Sequence, residues 1–194
     1  SEYEDAVEEG AGFANGVLWP LFHEMFERCD FRRDYWQAYR QVNRQFADQI
    51  SAVHSPGDTT WVHDYHLMVV PTFLDPALAD QTVGFFLHTP FPQPETFRRL
   101  PWRRELLEGL LGYDLVGLQS RRDLQNYRRV VDEMTDAEVE ATATEAYVYR
   151  EESASRARVL PIGCDFHAFA DRSASQGVTQ ALDELFDRIG DRQV

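Results

Sequence analysis

Short apolar runs alternate along this chain with longer stretches whose apolar residues recur every three or four positions, and that alternation restricts its fold more than any other feature. Residues 59–62, 81–87, 114–118 and 159–163 have the length and apolarity of buried strands, and helix-patterned segments separate them. Neighbouring parallel strands need a crossover, usually a helix, so the alternation predicts βαβ units and an α/β fold: a Rossmann-like parallel sheet with flanking helices. Trp19-Pro20 marks the first turn of a helix running through His23 and Met25. Asp34 is placed to cap the next helix, where Tyr35, Tyr39, Val42, Phe46 and Ile50 form one apolar face over 35–50. Ser55-Pro56-Gly57-Asp58 breaks the chain, and a helix resumes over 66–74 despite Pro71. Pro90, Pro92 and Pro94 make 89–94 a stiff loop, because proline cannot donate to a ladder. Helices follow over 95–100 and 102–111, interrupted at Pro101, and Ser120 with Asp123 three residues later caps another. The polar stretch 135–158 is expected to be irregular, with a weak strand over 142–149.

Two of the strands run straight into polar residues. Trp61-Val62-His63-Asp64-Tyr65-His66-Leu67 is one exit and Gly84-Phe85-Phe86-Leu87-His88-Thr89-Pro90-Phe91-Pro92 the other. Open α/β sheets bind ligands at the carboxyl ends of their strands, so the two exits predict one cleft. A carboxylate such as Asp64 suits hydrogen bonds from ligand hydroxyls, while its structural alternative is to cap the helix beginning near His66. His88 can donate a hydrogen bond without adding fixed charge. His63 and His66 do not share one face as i, i+4 residues of a helix would, which argues against a metal site.

Composition excludes several classes of partner. The formal charge is −14 and every basic residue is arginine, so no basic surface exists to neutralise nucleic acid or an anionic membrane. A carboxylate-rich, lysine-free surface fits a halophile, because a Debye length of about 3 Å at 1 M salt removes most self-repulsion. Cys29 and Cys164 stand far apart without metal-type spacing, consistent with a reducing cytoplasm. No run approaches the length of a membrane span. Ser1 opens the chain in place of Met, and a Glu-rich start runs at once into an apolar segment, so a fragment of a longer protein is expected.

Five ordered segments carry a resemblance. Asn15-Gly16-Val17-Leu18-Trp19-Pro20-Leu21-Phe22-His23, the two strand exits, Leu110-Leu111-Gly112-Tyr113-Asp114-Leu115-Val116-Gly117-Leu118-Gln119 and Val159-Leu160-Pro161-Ile162-Gly163-Cys164-Asp165 resemble the successive signatures of the trehalose-6-phosphate synthases, glycosyltransferase family 20. The resemblance implies a GT-B glycosyltransferase, of which this chain would be a partial N-terminal domain: 1–172 the acceptor-side domain, incomplete at its N-terminus, and 173–194 a helical segment leading to an absent nucleotide-sugar domain. It implies retaining transfer of glucose from UDP-glucose to glucose 6-phosphate in trehalose biosynthesis, linked to osmoprotection, with no metal or other cofactor. The leaving phosphate would accept the acceptor's proton on the same face of the sugar.

By the same resemblance Asp64 binds the acceptor, His88 touches the donor sugar near the reacting centre, and Trp19 lines the acceptor pocket; Asp64 and His88 are the catalytic pair. Two departures bear on the acceptor. Gly10 stands where the family commonly has a phosphate-holding tyrosine, and Thr89 replaces an aliphatic residue, adding a hydroxyl beside the acceptor. They keep open a glycosyltransferase with another phosphorylated sugar or polyol acceptor, and a non-catalytic module that binds a sugar phosphate. The cluster Arg98, Arg99, Arg103, Arg104 is suited to phosphate or, on alternating helix faces, to surface carboxylates. The partners implied are small-molecule substrates, without nucleic acid or membrane, and homo-oligomerisation is left open.

Overall fold

Strands β1 (Thr59–His63), β2 (Thr82–Phe86) and β3 (Leu115–Leu118) pair in parallel, in register Trp61 to Gly84 and Phe85 to Val116, with β6 (Ser153–Val159) parallel beyond β3. The computed structural model describes residues 12–76, 81–151 and 153–190. Beyond β6, strands β5 (Glu145–Arg150) and β4 (Glu138–Ala141) add antiparallel, so the sheet is mixed, with order β1-β2-β3-β6-β5-β4. The stretch 135–158 is therefore a meander. Its strands escape an apolar search because Ser155 and Ala157 supply the buried face of β6 between exposed or half-buried neighbours. For the same reason the fourth parallel strand ends where one was expected to begin, at Val159.

A π-helical turn, Ala14–Leu18, runs into α1 (Trp19–Phe22), and α2 (Arg33–Val53), α3 (Pro94–Phe97), α4 (Arg103–Leu110) and α5 (Arg121–Met134) follow. Helix α1 stops at Phe22, short of the expected Met25, because Glu24 takes a left-handed φ of 61°. In α2 the buried stripe is Trp36, Tyr39, Asn43 and Ala47, rotated from the expected face; Phe46 is 45% exposed. Asp34 lies inside the first turn of α2 and pairs with Arg32, the residue at the cap position. Ser120 does cap α5, accepting from the Asp123 N–H at 3.2 Å. The expected helix over 66–74 is two 3-10 turns, Tyr65–Leu67 and Val70–Phe73.

The core lies on one face of the sheet, where Val62, Phe85, Val116 and Ala157 stand side by side in the register. Phe85, Val116 and Leu118 meet Leu106, Leu107 and Leu110 of α4 and Leu124, Tyr127 and Val130 of α5, all buried. Phe13 packs against Trp36, Tyr39 and Trp102 with ring centroids 4.8 to 5.5 Å apart, which fastens the π-helical turn to α2. Helix α4 also approaches the 3-10 turns closely: a Cβ on Gly109 would stand 2.6 Å from the Met68 carbonyl oxygen.

The chain divides into two compact units, Ser1–Pro161 and Ile162–Val194. The second holds α6 (Phe166–Ser173) and α7 (Gln176–Ile189). Among the described residues no helix is long and apolar enough to cross a membrane.

Candidate functional site

Both strand exits open at the carboxyl end of the sheet and bond to each other. Asp64 follows β1, and its N–H donates to the Phe86 carbonyl at 2.7 Å. Its backbone then turns through φ 71°, ψ 168°, a region that side-chain-bearing residues rarely occupy. That turn aims the carboxylate across β2, where Oδ1 accepts from the His88 N–H at 3.2 Å. His88 follows β2, and its ring Nε2 lies 2.9 Å from Nδ1 of His63. Thus Asp64 and His88, singled out from sequence, meet in one place.

Side chains from the interior hold the backbone after Asp64. Tyr39 donates its hydroxyl proton to the Tyr65 carbonyl at 2.7 Å and accepts from the Met68 N–H at 3.1 Å. Asn43, fully buried, donates to the His66 carbonyl at 3.0 Å and accepts from the Val69 N–H at 3.2 Å. Tyr113 donates to the Leu67 carbonyl at 2.6 Å. Buried backbone groups that a regular helix would pair internally are satisfied here from α2 and the β3 approach. Burial lifts the Tyr39 and Tyr113 hydroxyls far above the ordinary phenol range, so they remain proton donors. His66 shifts the other way, its charged form disfavoured by desolvation against the pull of Asp64.

The proline loop is fixed from the other side. Asp123 accepts from the Phe91 N–H at 3.0 Å, and Asn126 donates to the Phe91 carbonyl at 2.9 Å. Both are buried in the first turns of α5. Between this loop, α5 and the end of α1 lies a cavity of about 620 Å³, lined by His88, Phe91, Gln93, Arg122, His23 and Glu24 among others. His88 stands in that lining; Asp64, Trp19 and Thr89 do not. Trp19, 38% exposed, sets its ring 4.3 Å from the ring of His23, a lining residue, and His23 donates Nδ1–H to the Trp19 carbonyl at 2.7 Å. Thr89 is half-buried, and its Oγ1 has no hydrogen-bond partner.

Several supporting residues had no sequence signal. Asn43, Asn126 and Tyr113 act on backbone groups distant in sequence, and Glu24 enters the lining through a left-handed turn that no local motif announces. Of the arginine cluster, Arg98, Arg103 and Arg104 line one surface pocket together with Glu108, Glu133 and Arg150, while Arg99 turns away to cover the Phe26 ring at 4.5 Å. Arg98 pairs there with Glu133 at 2.9 Å, and Arg103 donates to the Leu100 carbonyl at 3.2 Å. Cys29 and Cys164 are free thiols, and burial followed by the charge of Glu27 pushes Cys29 up to about 11. Among the described residues no group of three or more His, Cys, Asp or Glu could hold a metal ion. Gly10 lies outside the described residues.

Comparison with known proteins locates this geometry in one group. The model of glycosyltransferase family 20 matches residues 2–194. The chain is 42% identical to a bifunctional trehalose-6-phosphate synthase/phosphatase of Thermoproteus tenax, over 94% of this chain and 25% of that protein. An alpha,alpha-trehalose-phosphate synthase (UDP-forming) from Burkholderia xenovorans, solved in complex with glucose-6-phosphate, superposes with TM-score 0.82 at 29% identity, covering 89% of this chain and 39% of that one. An E. coli protein solved with UDP-2-fluoro glucose superposes with TM-score 0.82 at 33% identity, covering 94% and 41%. The chain thus spans between 25% and 41% of the length of these relatives.

Proposed function

Since the chain belongs to glycosyltransferase family 20, we propose that it forms the acceptor-side wall of a retaining, UDP-forming trehalose-6-phosphate synthase. In this reading 1–172 is the acceptor-side domain of a GT-B enzyme and 173–194 leads toward the nucleotide-sugar domain. The enzyme moves glucose from UDP-glucose to glucose 6-phosphate without a metal. The observation that carries the reading is the junction of Asp64 and His88, two strand exits joined by a 3.2 Å hydrogen bond, with His88 lining a cavity of mixed polar and apolar character. The relatives solved with glucose-6-phosphate and with UDP-2-fluoro glucose support the substrate pair.

Asp64 and Trp19 hold the acceptor, His88 touches the transferred glucose, and Thr89 stands beside the acceptor. Catalysis by such a wall is mainly positioning and charge stabilisation, because the carboxylate is committed to hydroxyl recognition and not to nucleophilic attack. The 194 residues alone are inactive in this reading, since the groups that neutralise the diphosphate belong to the other domain. The reading also includes a cytoplasmic enzyme of a halophile, making trehalose for osmoprotection.

The test is kinetic, in the complete polypeptide that carries this chain, with UDP-glucose and glucose 6-phosphate and release of UDP as the readout. A charge-assisted hydrogen bond contributes about 1.5 to 3 kcal/mol, so Asp64→Asn lowers acceptor use roughly ten- to a hundredfold. Unchanged turnover in that variant refutes the assignment, and loss of activity on metal chelation refutes metal independence. The unpartnered Thr89 hydroxyl favours a second reading, another phosphorylated sugar or polyol as acceptor. Product from such an acceptor, and none from glucose 6-phosphate, would establish it.

A further inference from the structure

At the carboxyl ends of β1 and β2 three rings close on one another. Nδ1 of His63 lies 2.9 Å from Nε2 of His88, with ring centroids 5.2 Å apart and 31° between planes. Phe86 completes the group, its ring centroid 4.8 Å from that of His88 and 6.4 Å from that of His63. Register explains the meeting: His63 pairs with Phe86, so His88, two residues on, comes beside it where the ladder ends.

Two imidazole nitrogens at hydrogen-bond distance need one proton between them, since one must donate and the other accept. A proton on both nitrogens sets two donors face to face and breaks the contact. This bond occupies Nε2 of His88, and Asp64 occupies its backbone N–H. Nδ1 is the ring nitrogen left for a ligand, and its state is the complement of the shared proton. If Nε2 accepts, Nδ1–H donates to a sugar hydroxyl; if Nε2 donates, Nδ1 offers a lone pair.

We propose that His63 is a positioning residue for glucosyl transfer, holding the His88 ring in one orientation and coupling its tautomer to that of His63 through the proton they share. The inference rests on the reading above in which His88 meets the transferred glucose. His63 itself acts through His88. A purely structural tie between strand ends would change stability and leave the His88 tautomer alone.

Two variants separate these roles. His63→Phe keeps a ring and removes the nitrogen, and His63→Asn puts an amide nitrogen where Nδ1 stood. In 15N-histidine NMR of this chain, the His88 tautomer is expected to be complementary to that of His63 in the wild type, to change its populations in His63→Phe and to move back toward the wild type in His63→Asn. In the complete polypeptide, His63→Phe is expected to lower kcat about 10- to 100-fold with acceptor KM within about threefold, because misplacing a reacting group by about an ångström is enough for that loss. His63→Asn should restore most of it. An unchanged His88 tautomer or an unchanged kcat in His63→Phe overturns the proposal. Absence of trehalose-phosphate product from the wild-type polypeptide overturns the functional reading instead, and the NMR comparison then still decides whether His63 governs His88.

Discussion

Replacing Asp64 by glycine should leave the protein more stable than replacing it by alanine, the reverse of the usual order. At φ 71°, ψ 168° Asp64 occupies a region that glycine enters freely and alanine does not. Alanine there retains backbone strain of about 1 to 3 kcal/mol, which glycine relieves. Glycine in turn gives the unfolded chain more freedom, costing about 0.4 to 1 kcal/mol. Both variants lose the Oδ1 acceptor of the His88 N–H, so that loss cancels in the comparison. Taking about 2 kcal/mol for the strain and about 0.7 for the entropy leaves Asp64→Gly ahead by roughly 1.3 kcal/mol. For a chain of this size that corresponds to a midpoint higher by about 3 to 5 °C. Urea titration and thermal melts of the two variants, at one salt concentration, measure the difference. Alanine equal to or more stable than glycine would refute the claim that the surrounding bonds force a strained backbone on Asp64. Both variants are also expected to abolish transfer in the complete polypeptide, which would identify the strain as a stability cost retained for the carboxylate.

Two further outcomes are expected. Thr89→Val replaces a buried hydroxyl without a partner by a methyl of the same shape, and should stabilise the chain by about 1 kcal/mol in the same melts; destabilisation would mean that the hydroxyl is bonded. The Arg156 hydrogen bond above all, helped by the Tyr147 hydroxyl and the charges of Arg156 and Arg158, holds the Glu145 carboxyl below its ordinary 4.5. A lowered carboxylate value contributes stability that is present above pH 4.5 and lost as pH falls through the folded value, so Glu145→Gln should be less stable than wild type at neutral pH, with the gap closing in acid. A gap independent of pH would show that the ion pairs with Arg156 and Arg158 carry none of it.

The parts of the fold readable in sequence are those whose signal is local. β2 and β3 are dense apolar runs, α5 announces itself through Ser120 and Asp123, and Asp64 and His88 follow from their place after apolar strands. Of the meander β4-β5-β6 only β5 was readable, as the weak strand over 142–149, because the buried face is made of Ser155, Ala157, Ala146 and Val148, small residues spread among charged ones. The face of α2 was misassigned for a related reason. Asn43, polar by type, is fully buried since its amide meets both Tyr39 and His66 carbonyls and the Val69 N–H, while Phe46 stays outside. Hydrogen bonds to residues more than twenty positions away leave no local pattern to read.

Those same distant bonds account for how the site can contain a strained aspartate at all. Left to itself, the segment 65–69 would relax Asp64 into the β region or continue a helix, and either would turn the carboxylate away from His88. Tyr39, Asn43 and Tyr113 remove both options by committing the carbonyls of Tyr65, His66 and Leu67 and the N–H groups of Met68 and Val69 to partners in the core. A buried backbone group that loses its partner costs about 1 to 3 kcal/mol, so undoing several of these bonds exceeds the strain of one residue. Proteins in which Asp64 alone was preserved, with Asn43 or Tyr39 replaced by apolar residues, should present the carboxylate in the wrong direction. The direction of the Asp64 carboxylate is thus set as much in the core of α2 as at the strand ends.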